Sequence, residues 1–186
     1  MPAIPIAITA AIIAIAALLW GISVYNRLIR LASLKDEAWS GVDIQLKRRF
    51  DLVPNLVETV KGYASHERNT LEAVIGARSA IQTASTQDAR IDAENSLTQT
   101  LRTLFAVAES YPELKANANF TELQRELSSL ESDLQLARRY YNGTVRDFNI
   151  AVKSFPAVLI SRRFGYEEAP MFSADEESKE PVKVRF

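Results

Sequence analysis

The hydrophobic positions of this chain of 186 residues follow two different rules. From Ile6 to Val24 nearly every residue is Ala, Ile, Leu or Val, and no charged side chain occurs between Met1 and Asn26. At 1.5 Å per residue, a run of roughly 20 apolar residues matches the ~30 Å hydrocarbon core of a bilayer. Trp20 and Tyr25 stand near one end of the run, where amphipathic rings favour the membrane interface. Residues 1–25 are therefore read as a transmembrane anchor. A cleaved signal peptide would carry Lys or Arg ahead of the apolar run, and none is present. A buried core helix so uniformly apolar would need a larger protein around it.

Beyond the anchor, apolar residues return at steps of three and four, the period of a helix with one buried face. Leu28, Leu31, Ala38, Val42, Leu46, Phe50 and Val53 form the first stripe. With neither Gly nor Pro between Gly21 and Gly41, the anchor is expected to run into this stripe as one helix. Pro54 lacks an amide hydrogen and disfavours helix at Val53, so the first helix should end or kink near Asp51 to Val53 and a second begin there. Leu56, Val60, Ala64, Leu71, Val74 and Ile81 carry the stripe on towards Ala84. Ser85-Thr86-Gln87-Asp88 reads as a turn with an N-cap.

A third helix carries Leu97, Leu101, Leu104, Phe105 and Ala108 and ends near Tyr111-Pro112. The longest helix is expected after Asn119, opened by Asn119 or Thr121 with Glu122, and striped from Phe120 to Phe155. Gly143 inside it suggests a close helix crossing. The expected fold is all-α: a transmembrane helix, an antiparallel up-and-down four-helix bundle over residues 26–155, and an irregular C-terminal tail over 156–186. Such a topology returns the tail to the bilayer.

Composition narrows the function. Arg27, Arg30 and Lys35 follow the span and only the α-amino group precedes it, which favours the N-terminus outside and the C-terminal domain in the cytoplasm. An extracytoplasmic domain is the alternative. A net charge of −1 offers no field to attract nucleic acid. The absence of cysteine excludes disulfides, thiolate metal sites, a cysteine nucleophile and a lipid-modified N-terminal cysteine. Small residues at Ala10, Ala11 and Ala14 suit self-association within the bilayer.

Candidate chemistry is sparse. His66 is the one histidine, and neither a phosphate-binding glycine loop nor Gly-x-Ser-x-Gly occurs. No enzyme, cofactor or metal is expected; the remote alternative is an unorthodox enzyme using Arg48, Asp51 or His66 in a groove between helices. Arg48, Arg49, Asp51, Pro54 and Asn55 form an unusual group at the expected helix junction. One reading is a ligand or partner site at the end of the first helix; the simpler is cations complementing a helix C-terminus, with Asp51 capping the next helix. Arg78, Arg125, Arg138 and Arg139 read as solvated or ion-paired helix faces. In the tail, Arg162, Arg163, Phe164 and Tyr166 are candidate contacts to a protein partner or to lipid headgroups. The alternative is that these aromatics pack back on the bundle.

The words of the sequence resemble the LemA family. Lys47-Arg48-Arg49-Phe50-Asp51-Leu52-Val53-Pro54-Asn55-Leu56-Val57-Glu58-Thr59-Val60-Lys61-Gly62-Tyr63-Ala64 is similar to its signature segment. Tyr25-Asn26-Arg27-Leu28 and Asp36-Glu37-Ala38-Trp39-Ser40 match its entry segment. Ala137-Arg138-Arg139-Tyr140-Tyr141-Asn142-Gly143, Val145-Arg146-Asp147-Phe148-Asn149, Ser154-Phe155-Pro156, Phe164-Gly165 and Pro170-Met171-Phe172 match its last helix and tail. Ser173-Ala174 and the linker from Ile81 to Glu94 depart from its pattern. The resemblance implies a helical bundle on an N-terminal anchor in the bacterial cell envelope, with no settled biochemical activity. The function expected is a non-catalytic scaffold or interaction protein, with a lipid bilayer and a protein or a second copy as partners. The alternative is an accessory or adaptor to a membrane protease or other envelope complex.

Overall fold

The computed structural model describes residues 3–64 and 66–172. Ser173-Ala174 and the acidic residues Asp175, Glu176 and Glu177 lie outside them. Among the described residues the protein is all-helical, with helices α1 (Ala3–Lys61), α2 (Arg68–Thr83), α3 (Gln87–Ala108), α4 (Pro112–Lys115), α5 (Ala118–Lys153) and α6 (Ala157–Arg163).

The longest helix is α1, at 59 residues, and not the helix after Asn119. Pro5 sits in its first turn, where amide hydrogens have no partner in any case. The Thr9 hydroxyl donates to the Pro5 carbonyl at 2.8 Å, so this polar group is satisfied inside the apolar stretch. The stretch that begins at Ile4 is long and apolar enough to cross a membrane, and the rest of the protein buries none of it. A soluble protein's core helix would be buried.

The break expected at Pro54 does not occur, because α1 continues through it to Lys61. A proline inside a helix frees the carbonyl four residues earlier, here that of Phe50. Arg78 of α2 supplies the missing donor, its Nε donating to the Phe50 carbonyl at 3.2 Å. The same guanidinium lies 3.8 Å from the Phe50 ring centroid. Arg78 is thus a half-buried structural group and not a solvated surface charge. The actual break comes after Lys61, where the amides of Tyr63 and Ala64 both donate to the Val60 carbonyl, at 3.0 and 2.8 Å.

Thr86 caps α3 as its position suggests, accepting from the Ala89 amide at 3.2 Å. The cap of α5 is Asn117 and neither Asn119 nor Thr121: its Oδ1 accepts from the Phe120 amide at 3.0 Å. Tyr111-Pro112 opens the single turn of α4, with proline at its start. The tail holds a further helix, α6, and is to that extent regular. A side chain built at Gly143 would meet nothing within 4 Å, so this glycine marks no close crossing.

The described chain divides into two compact units. Residues 40–139 with Phe172 form one of them. Its core takes Leu56 and Val60 from α1, Val74 from α2, Leu97 and Leu104 from α3, Leu114 from α4 and Phe120 from α5, all essentially inaccessible. Each fully buried Leu, Val or Phe contributes about 1.5–3 kcal/mol relative to an exposed position.

Residues 3–39 with 140–171 form the other unit. Leu28 of α1 and Phe148, Ala151 and Val152 of α5 make its core, flanked by Val24, Leu31, Ile160 and Tyr166. Trp39 and Tyr141 pack with ring centroids 5.3 Å apart. Side chains of α5 fasten the segment after α6. The Asn149 amide donates to the Ala169 carbonyl and accepts from the Ala169 amide, both at 2.9 Å. The Tyr141 hydroxyl donates to the Pro170 carbonyl at 2.9 Å, and the buried Ser161 hydroxyl to that of Val152 at 2.8 Å.

Candidate functional site

Three groups of residues concern function. The first is the set proposed for a helix junction. Because α1 passes through Pro54, Arg48, Asp51 and Asn55 fall on one exposed face of a continuous helix at steps of three and four. They line an open groove of about 590 Å³ whose opposite wall is Glu126, Ser129 and Asp133 of α5, with Leu52 and Leu130 at its floor. One arginine faces three carboxylates there, so the groove is acidic. Such a surface suits a cationic partner segment better than an anionic ligand. Asp51 caps no helix.

Arg49 departs from its group. It is not a solvated cation near a helix end but lies mid-helix and is 1% exposed. Its Nη1 donates to the Thr98 hydroxyl at 2.7 Å and to Glu131 Oε2 at 3.2 Å. Its Nη2 donates to the Glu94 backbone carbonyl at 3.2 Å and forms an ion pair with the Glu94 carboxylate. One guanidinium thereby joins α1 to α3 and α5. Burial pushes the Glu94 carboxyl above its ordinary value, against the opposing pull of Arg49, Arg90 and Arg138. Leaving either partner alone would strand a buried charge, so loss of one is expected to be costly. Arg90 makes a second ion pair between α3 and α1, with Asp43.

Glu94, Thr98 and Glu131 were not singled out from sequence, although a signal existed. On α1 the buried positions include 42, 46, 49, 53, 56 and 60 at steps of three and four, and on α3 they include 91, 94, 97, 98, 101, 104 and 108. A cation in one apolar stripe and an anion in the other announce a buried pair. Beside it opens a pocket of about 260 Å³ lined by Arg49, Thr98, Glu131, Leu101, Phe105 and Leu127 among others.

The third group is the tail. Tyr166 turns inward, its ring 6.2 Å from that of Phe148 and nearly perpendicular to it. The Phe164 ring packs 4.6 Å from that of Tyr25, tilted by 47°, and stays 57% exposed. Arg162 and Arg163 are exposed. Of the remaining arginines, Arg138 lies 4.7 Å over the Phe172 ring and is half-buried, whereas Arg125 and Arg139 are exposed. His66 is exposed and lines neither the groove nor the pocket. Among the described residues no group of three or more His, Asp or Glu is placed to hold a metal ion.

Known proteins bear on this geometry. A curated relative, Protein LemA of Metamycoplasma hominis, is 22% identical over 152 residues, covering 81% of this chain and 69% of its own length. The family model described as LemA family matches residues 38–186, which takes in the groove, the buried Arg49 pair and the α6 segment. That match spans well over half of the chain, and the protein belongs to the LemA family.

Proposed function

We propose that this protein is a membrane-anchored, non-catalytic scaffold of the bacterial cell envelope. Residues 1–25 cross the bilayer once, and the helices that follow recruit a protein partner on one side of it. The observation that carries this reading is the division of labour within α1. Up to Trp20 it exposes apolar side chains all round, Ile12 at 62% and Leu18 at 63%, while its second half supplies the core residues Leu46, Val53, Leu56 and Val60. A helix so exposed and so apolar is suited to a lipid solvent. Its unbroken passage into a packed core argues against removal as a leader.

The short connectors at 84–86 and 62–67 favour antiparallel neighbours, so α1, α2, α3 and α5 are read as an up-and-down bundle within residues 26–155. Arg27, Arg30 and Lys35 favour a cytoplasmic domain with the N-terminus outside. The acidic groove at Arg48, Asp51 and Asn55 is the face we assign to a protein partner. Exposure of Arg48, Asp51 and His66 supports a non-catalytic role, since acid–base work needs groups held apart from water.

A photo-crosslinking residue at Asn55, compared in cells with one at Ile75 on the exposed face of α2, tests this reading. Discrete adducts at Asn55 that are absent at Ile75 are expected, from protein that stays in alkali-washed membranes. Identical adducts at both positions, or release of the protein by alkali, would overturn it.

A further inference from the structure

We propose that the outer face of α6, together with Phe155 and Phe164, is an interfacial patch that lies in the membrane surface and binds anionic phospholipid headgroups through Arg162 and Arg163. The proposal rests on the anchor reading and adds a second, separate point of membrane contact.

The first argument is the division of faces. Leu159, Arg162 and Arg163 stand at i, i+3 and i+4 and are all exposed, whereas Ser161 is buried and Ala157, Val158 and Ile160 are partly covered. The inner face is held by the Ser161 hydroxyl bond to the Val152 carbonyl. The outer face therefore shows one large apolar side chain, 63% exposed, between two cations. Phe155 before the helix is 82% exposed and Phe164 after it 57%. Three large apolar side chains are thus exposed within ten residues on and beside one short helix, as at an interaction surface.

The second argument is the level at which the patch sits. Ile160 Cδ1 lies 4.0 Å from where a side chain on Gly21 would begin, and the Phe164 ring packs at a tilt against Tyr25. Both α1 residues belong to the last turns of the apolar stretch, immediately before Arg27. Counting roughly 20 residues of hydrocarbon from Ile4 places Gly21 to Tyr25 at the headgroup boundary. The patch is thus continuous with the anchor's own lipid-facing surface and with the interfacial ring of Trp20, which is 44% exposed.

Charge supplies the third. Arg162 and Arg163 add to Arg27 and Arg30, which are exposed on α1 just past the same boundary. Glu168 nearby is paired with Lys153 at 2.6 Å. Exposed aromatic and aliphatic groups mixed with arginine at the interface suit acyl chains and anionic headgroups together. A soluble partner would require the patch to lie clear of lipid.

The cysteine-free sequence makes the test direct. A nitroxide is attached in turn to I12C, L159C and I75C in the full chain, reconstituted in vesicles of phosphatidylcholine with phosphatidylglycerol. Collisions with oxygen and with a water-soluble nickel chelate report depth. Labels at positions 12 and 159 should favour oxygen, and the label at 75 should favour nickel. In anionic vesicles, R162Q/R163Q should shift the position-159 label towards water, by roughly fivefold in contact equilibrium per arginine, with little shift in phosphatidylcholine alone.

A position-159 label as nickel-accessible as position 75, with position 12 in lipid, would overturn the patch and leave the anchor standing. Protection of position 159 in native membranes but not in lipid vesicles would assign the face to a protein and likewise overturn the proposal. A nickel-accessible position 12 would remove both readings.

Discussion

The two halves of α1 have the same backbone and opposite chemistry. In the first, every side chain from Ile4 to Trp20 is exposed; in the second, Val42, Leu46, Val53, Leu56 and Val60 form one buried face, closed over its C-terminal part by α2, α3 and α5. No charged side chain occurs in α1 before Arg27, whereas the second half buries an arginine completely. The difference lies in the partners available. In lipid, the solvent proposed for the first half, no counter-ion is at hand and a charge is costly wherever it points. A protein core can bring Glu94, Thr98 and Glu131 to the guanidinium, and the charge becomes a device for register.

The largest expected effect breaks the second half. Arg49→Met strands the Glu94 carboxylate and should cost about 3–5 kcal/mol, read as urea-dependent proteolytic susceptibility of the full chain in detergent. The double change R49M/E94L should recover most of that loss. A double variant as unstable as the single one would mean that packing volume, and not charge pairing, dominates the site.

The first half is tested by charge placement. Ile13→Arg should disfavour membrane insertion by roughly 2.5–3.5 kcal/mol, read as the inserted fraction in a glycosylation-mapping assay. Ile44→Arg, at a 55% exposed position of the same helix, should change stability by no more than about 0.5 kcal/mol. Equal tolerance at the two positions would erase the contrast.

A smaller effect concerns how α1 survives its proline. Arg78→Ala removes the donor to the Phe50 carbonyl and should cost about 1–3 kcal/mol in urea titrations. In a Pro54→Ala background, which restores the amide hydrogen, the same change should cost clearly less. Additive losses would show that Arg78 acts elsewhere. Smallest is the cap of α5: Asn117→Ala should cost ~1 kcal/mol in the same titration and Asn119→Ala near zero. The reverse ranking would restore Asn119 as the cap.

Residue spacing made the helices legible. Every apolar stripe read from the sequence faces a core, apart from Phe155 at its C-terminal end, and Thr86 caps α3 as its position suggests. Local rules failed where a distant residue intervened. Proline chemistry at Pro54 is correct in isolation, but nothing near it in sequence reveals that Arg78 will satisfy the freed carbonyl. Arg49 looked like a helix-end cation because the helix was expected to end there. Once α1 is continuous, its place in the 3–4 spacing is a core place. Tyr141 and Asn149 were recognised as part of a familiar word without a reason for their identity; the reason is the clamp on Pro170 and Ala169.

The central claim, that α1 crosses a bilayer once and then enters a folded domain, is tested most directly by locating both ends of the chain. Short tags at the N- and C-termini of the full protein, probed by protease in sealed inverted vesicles and in spheroplasts, give the answer in one experiment. Tags on opposite sides are expected, with the C-terminal tag cleaved in inverted vesicles and the N-terminal tag in spheroplasts. Both tags on the same side of the membrane would contradict it.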